Sequence, residues 1–300
     1  MTENIAAEPI AFRVLLDEAM KFTRRHFGAM YLPVGIPLAL LAGLVSWVQL
    51  RFMQNVAGGA RAPSFGAAGC VGYFAVALVW MVLVGLCSAV LTAAAVDGAG
   101  GRKIEMGPKW GFVLRPSTLW TLFLSLIAVV VGFCLLFFPG VYVSLRLSFL
   151  VPVMATEGSK GPAAMRRSWH LVKYNPHKRF LNNTATKVFV LYLVAGLISW
   201  LVSFVVQLPL FALRTVAMAR DASTGHATGV GFSSMFLWTQ IVSQMVGQLV
   251  STATSIYSSF GVVLLYLDVV RRKEGSDLAS AIDARFGGDA PPTAPRGPFA

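Results

Sequence analysis

The chain has 300 residues, of which 56% are hydrophobic and only 13% charged. A soluble globular chain carries roughly 25% charged residues, so the composition excludes a soluble enzyme or a free binding module and points to a polytopic membrane protein. The formal charge of +12 then reads as contact with anionic lipid headgroups; no soluble basic domain is long enough to hold nucleic acid.

The first 28 residues contain AFRVLLDEAMKFTRRHF. Phe12, Leu15, Leu16, Ala19 and Phe22 share one helical face, and Arg13, Asp17, Lys21 and Arg24 share another. Such a helix lies in the headgroup plane. The opening MTENIAAEPI is acidic and is not read as a cleavable signal.

Six apolar runs follow, at about 29–50, 70–96, 118–138, 139–156, 187–213 and 247–268. Each is near the ~20 residues that a bilayer core requires. The fold class expected is therefore all-α, an integral membrane protein with six transmembrane helices and amphipathic surface helices on its cytoplasmic side. Pro139 suits the first turn of the fourth span, where its missing N–H is unpaired anyway. Residues 232–268 form one long apolar run. Either 232–246 lies along the outer surface or a long helix tilts and projects. Residues 1–286 are read as one membrane domain, and the Pro/Gly-rich GGDAPPTAPRGPFA as a disordered tail.

Loop charge sets the expected orientation. Of the 25 Lys and Arg residues, twenty lie before the first span, between spans two and three, between spans four and five, and after the sixth. Four lie in the intervening loops, and Arg146 alone lies inside a span. Because positive residues stay in the cytoplasm, both termini are placed there, in a bacterial inner membrane. Arg24, Arg25, Arg166, Arg167, Lys173, Arg271 and Arg272 are the basic residues expected to face lipid headgroups.

Two further segments precede span pairs. GPAAMRRSWHLVKYNPHKRF puts Met165, Trp169 and Val172 on one side and Arg166, Arg167, His170 and Lys173 on the other. GRKIEMGPKWGFVLRPS is weaker, because Gly and Pro interrupt it. The even-numbered spans end at Asp97, Glu157 and Asp268. The pattern suggests three repeats of surface helix, span, span, all in one orientation; the plainer alternative is that any span end can carry a carboxylate.

Arg146 is the main anomaly. A charge deep in a span costs at least about 2.5–3.5 kcal/mol, and no Asp or Glu lies at comparable depth. On a straight helix it stands about 16 Å from Glu157, at 1.5 Å per residue. It either reaches headgroups and neutral dipoles or forms an anion or lipid site. WTQIVSQMVGQLVSTATSIYSS carries a polar stripe at 240, 244, 248, 252 and 255. That stripe is expected to face protein or line a hydrated cavity. By depth, Ser255, Tyr257 and Ser258 are the expected partners of Arg146, with Gln248 and Gln244 further along the candidate site.

The motifs of known chemistry are missing. There is no HExxH and no GxxxxGK[ST], and GAGGRK at 98–103 lacks the phosphate-loop spacing. GFSSM at 231–235 is not a serine elbow, and the four histidines lie in loop segments. Cys70, Cys87 and Cys134 lack metal-ligand spacing. They read as small apolar residues, with a Cys70–Cys134 disulfide as the alternative. No cofactor, metal or catalytic residue is expected.

Four stretches resemble the bacterial glycerophosphoryl diester phosphodiesterase membrane domain family: LLDEAMKFTRRHFGAM, FPGVYVSLRLSFLVPVMATEG, GPAAMRRSWHLVK and LLYLDVVRRKEGSDL. The resemblance implies a six-span fold and a membrane location. It does not imply phosphodiesterase activity, because the chain has no room for the soluble catalytic domain. The family pattern tends to place an arginine two residues after the last aspartate; here that position is Val270, followed by Arg271. The reading drawn from all this is a non-enzymatic, lipid-associated scaffold or accessory subunit. The alternative is a transporter or channel for an anionic or lipid-like substrate, with Arg146 in its path.

Overall fold

The computed structural model describes residues 12–58, 67–172, 183–223 and 234–286. The described elements are all helices: α1 (Phe12–Gly58), α2 (Ala67–Ala99), α3 (Met106–Val113), α4 (Pro116–Leu135), α5 (Phe137–Arg146), α6 (Leu150–Glu157), α7 (Pro162–Leu171), α8 (Thr184–Ser223) and α9 (Ser234–Phe286). Six segments are long and apolar enough to cross a membrane, with α5 and α6 together forming the fourth. The chain is an all-α, multi-pass membrane protein.

α9 is the hub, packing chiefly on α1 and α8 and also on α2. Its contacts with α1 run antiparallel: Phe22 stacks on Phe260, Gly35 faces Thr252, and Gly43 faces Met245. Small residues let the helices close, as expected where lipid supplies no hydrophobic drive between them. A Cβ at Gly261 would lie 2.7 and 2.8 Å from the two Leu191 methyls, so α8 and α9 meet there at backbone distance. α4 and α5 form a tight hairpin in which Gly132 faces Gly140.

The core is concentrated toward one end, which also holds Asp97, Glu157 and Asp268 and is called the charged end below. Leu15, Met30 and Val34 of α1, Leu91 of α2, Phe149 and Val153, Leu171 of α7, Leu191 of α8, and Ile256, Phe260 and Tyr266 of α9 are all buried there. Toward the other end the helices carry exposed apolar side chains, including Trp47, Leu78, Val131, Phe138, Trp200, Phe211 and Trp238. So broad an apolar surface is suited to lipid.

Two expectations change and one open choice is decided. The first basic arm is not a separate surface helix, because it is continuous with the first span in α1. Its faces are nonetheless as expected: Leu15 and Ala19 are buried, while Arg13, Asp17, Lys21 and Arg24 are exposed. Second, α9 is one continuous helix, so the long-helix alternative for 232–268 holds over the described residues from 234 onward. Third, the fourth span is broken at 147–149. Pro152 gives the reason, since its ring cannot sit against the carbonyl four residues back, that of Ser148. It is tolerated in the first turn of α6.

Cys134 is a free, exposed thiol and Cys87 a buried one; the side chain of Cys70 lies outside the described residues, as do Lys173 and the tail 287–300.

Candidate functional site

The break positions Arg146. It is the last residue of α5, and the amide of Leu150 turns to Leu147 O at 2.9 Å. The carbonyl of Arg146 is thereby released from the helix. Ser168 of α7 donates its hydroxyl to that oxygen at 2.7 Å.

α7 reaches this point because the connection after α6 folds it back. Gly158 ends α6 at φ +69°, and Gly161 precedes α7 at φ +60°, both in the left-handed region that suits glycine. The amide of Gly161 donates to Thr121 Oγ1 of α4 at 2.7 Å, which anchors the start of α7.

Arg146 is only 6% exposed. Nη1 donates to the carbonyl of Trp169 at 3.0 Å, and Nη2 donates to the hydroxyl of Tyr142. The guanidinium carbon lies 4.9 Å from the Tyr142 ring centre and 5.2 Å from that of Trp169. The carbonyl of Trp169 belongs to the last turn of α7, the end of a helix that carries partial negative charge. A helix terminus and two ring faces therefore answer the arginine. Its Nε is buried with no hydrogen-bond partner.

This corrects the expected partners. Ser255, Tyr257, Ser258, Gln248 and Gln244 are not brought to Arg146; its described hydrogen bonds and ring contacts go to Tyr142 and α7. Ser255 bonds to Ser251 O and Ser258 to Ser255 O, both within α9. Tyr257 is buried. Farther along the stripe, Thr252 donates to Gln248 O, and Ser259 shares a 3.2 Å hydrogen bond with Thr92 of α2. Ser259 thus bonds across to another helix, whereas Thr252, Ser255 and Ser258 bond back within α9. Arg146 and Glu157 both bond to the same short helix, Arg146 to Trp169 and Ser168 and Glu157 to Arg167.

Glu157 is held by Arg167 Nε, at 3.1 Å to each carboxylate oxygen. The hydroxyl of Tyr266 donates to Glu157 Oε1 at 3.0 Å and lies 2.7 Å from Thr156 Oγ1. Asp97 pairs with Lys109 of α3. The acid ending each of these spans is thus bound by a base on the short helix that follows. Asp268 is paired instead within α9, by Arg272 one turn on, so Val270 leaves no gap in its pairing.

The expected headgroup-facing cations divide accordingly. Arg24, Arg25, Arg166 and Arg271 are exposed, whereas Arg167 and Arg272 are committed to carboxylates. Of the expected apolar face of α7, Val172 is buried and Met165 packs on the core, but Trp169 is 41% exposed, and Ala164, Ser168 and Leu171 are buried as well. The periodicity could not show that, because Ser168 looks polar until its acceptor is known. A cleft of about 360 Å³ is lined by Arg146, Arg166, Trp169 and His170.

No protein-family model, curated protein or solved structure matches the chain. The cleft and the charged end are therefore read from their own chemistry.

Proposed function

We propose that this chain is a non-enzymatic protein of a bacterial inner membrane, with both termini in the cytoplasm. In this reading its charged end associates with anionic phospholipid, and it serves as a lipid-associated scaffold or accessory subunit. The observation that carries the reading is the charge balance at that end. Asp97, Glu157 and Asp268 are each paired, while Arg24, Arg25, Arg166 and Arg271 stay exposed. A surplus of exposed cations at one end of a membrane bundle favours an anionic leaflet by ~1 kcal/mol per residue. The resemblance of four segments to the glycerophosphoryl diester phosphodiesterase membrane domain family agrees with a six-span scaffold. The transporter alternative keeps Arg146 but loses the α9 partners it relied on.

The test is the lipid that accompanies the full chain. Extracted with its surrounding bilayer, the protein should be enriched in phosphatidylglycerol and cardiolipin over the bulk membrane. A variant with Arg24, Arg25, Arg166 and Arg271 all changed to Ala should lose that enrichment. Equal lipid composition in wild type and bulk membrane would sink the reading. A thiol reagent that does not cross membranes should label a cysteine added to the C-terminal tail only after the cells are opened.

A further inference from the structure

We propose that the cleft between α5 and α7 binds the phosphate group of a single anionic phospholipid, with one acyl chain laid in the groove between α5 and α8. The proposal deepens the lipid-associated reading and rests on it for the class of ligand.

Charge is the first argument. The cleft is lined by Arg146, Arg166, Trp169 and His170, with no carboxylate among them. Among the described residues, neither Arg146 nor Arg166 is in an ion pair. The groups that bond to Arg146, a carbonyl and a phenol, are neutral. They ease its burial without cancelling its charge.

The second argument is an unused donor. Each Nη of a guanidinium has two hydrogens, and Arg146 spends one of each on the protein. Its Nε–H is buried and unpartnered. A buried donor without an acceptor is rare and calls for a cause. A phosphate in the cleft supplies several acceptor oxygens, and guanidinium–phosphate hydrogen bonds are among the strong ones. Trp169, exposed at the rim, suits the headgroup level, where tryptophan is enriched.

The third argument selects a lipid over free phosphate. A groove of about 490 Å³ is lined by Val141, Ser144 and Leu145 of α5 and by Phe189, Tyr192 and Leu193 of α8. On α5, Val141 and Leu145 form one stripe; Tyr142 and Arg146 form the next, one residue around the helix. The apolar groove and the cationic cleft therefore flank the same turn of α5. A phospholipid carries phosphate and acyl chain on one glycerol unit, so one molecule can use both.

The test uses the purified full chain in phosphatidylcholine nanodiscs, titrated with short-chain phosphatidylglycerol or with glycerol 3-phosphate. Native mass spectrometry and thermal stabilisation are the readouts. One phosphatidylglycerol per chain should be retained over phosphatidylcholine. Arg166→Ala, an exposed position, should weaken retention roughly tenfold; Arg146→Gln should weaken it at least as much. Leu145→Trp should weaken phosphatidylglycerol binding by narrowing the groove. Because Arg146→Gln could fail to fold, Arg166→Ala carries the decision. Equal retention of phosphatidylcholine, or wild-type binding by folded Arg166→Ala, overturns the site. Glycerol 3-phosphate binding as tightly as the lipid, with Leu145→Trp silent, overturns the acyl groove. If Arg166→Ala is silent while the Arg24→Ala/Arg25→Ala variant loses bulk anionic-lipid enrichment, this site falls and the broader reading stands.

Discussion

Arg146 Nη1 donates to the main-chain oxygen of Trp169 at 3.0 Å, and Ser168, the residue before that tryptophan, donates back to the main-chain oxygen of Arg146 at 2.7 Å. The second bond satisfies the carbonyl that the break leaves open at the end of α5, and the first reaches a carbonyl in the last turn of α7. The two bonds latch the break in the fourth span to the surface helix that follows it.

Removing both halves of the latch together should cost less than the sum of the two single losses. Ser168→Ala should destabilise the protein by about 1 kcal/mol, and Arg146→Gln by about 2–3 kcal/mol, since its bonds are charge-assisted. The double variant should show a coupling of about 0.5–2 kcal/mol. Equilibrium unfolding in mixed micelles gives all three values; strict additivity would mean that the two bonds are independent.

Pro152→Ala should destabilise, although removing a proline from a helix ordinarily helps it. With an amide at 152 and no ring, α5 and α6 can join, and the amide of Leu150 can reclaim the carbonyl of Arg146 from Ser168. Spin labels at the exposed Phe138 and at Ala155 should move toward the ~26 Å of a straight helix of 17 steps. An unchanged distance would show that packing, not the proline, makes the break.

Gly261→Ala should cost about 1–3 kcal/mol, as overpacking does, because the added methyl meets the buried side chain of Leu191. Adding Leu191→Ala should recover part of the loss. Thermal unfolding of the two single variants and the double variant decides it; identical stability of Gly261→Ala and wild type would mean that α8 and α9 separate freely.

Tyr266→Phe should lower stability by about 0.5–1.5 kcal/mol. It removes the hydroxyl that donates to Glu157 from a side chain only 2% exposed. Arg167→Ala should cost no more than about 1 kcal/mol, because that pair is part-exposed and screened. A chemical denaturation series in one detergent compares them, and the reverse order would place the main restraint on Glu157 at the α7 side.

Six membrane-crossing segments were legible in the amino-acid order because a span is a local property: about twenty apolar residues announce it wherever they pack. The exposed face of the first basic arm was legible for the same reason, since helical spacing separates Arg13, Asp17, Lys21 and Arg24 from Leu15 and Ala19. Arg146 could be singled out as a lone charge among apolar residues. Its partners could not. Depth along a straight helix pointed to Ser255, Tyr257 and Ser258, but depth does not say which neighbour a side chain faces, and Arg146 faces Tyr142 and α7.

Residue order alone was enough to specify an all-helical, multi-pass chain with its basic residues concentrated in alternate segments. Folding was needed to show that α1 runs unbroken through arm and span, that the acids ending two spans are held by the next short helix, and that Arg146 rests on the end of α7. Periodicity reports which residues share a face of one helix. Which neighbour covers that face, and whether a carbonyl is free to accept, depends on residues brought close by folding: Arg146 and Trp169 are 23 positions apart, Glu157 and Tyr266 are 109.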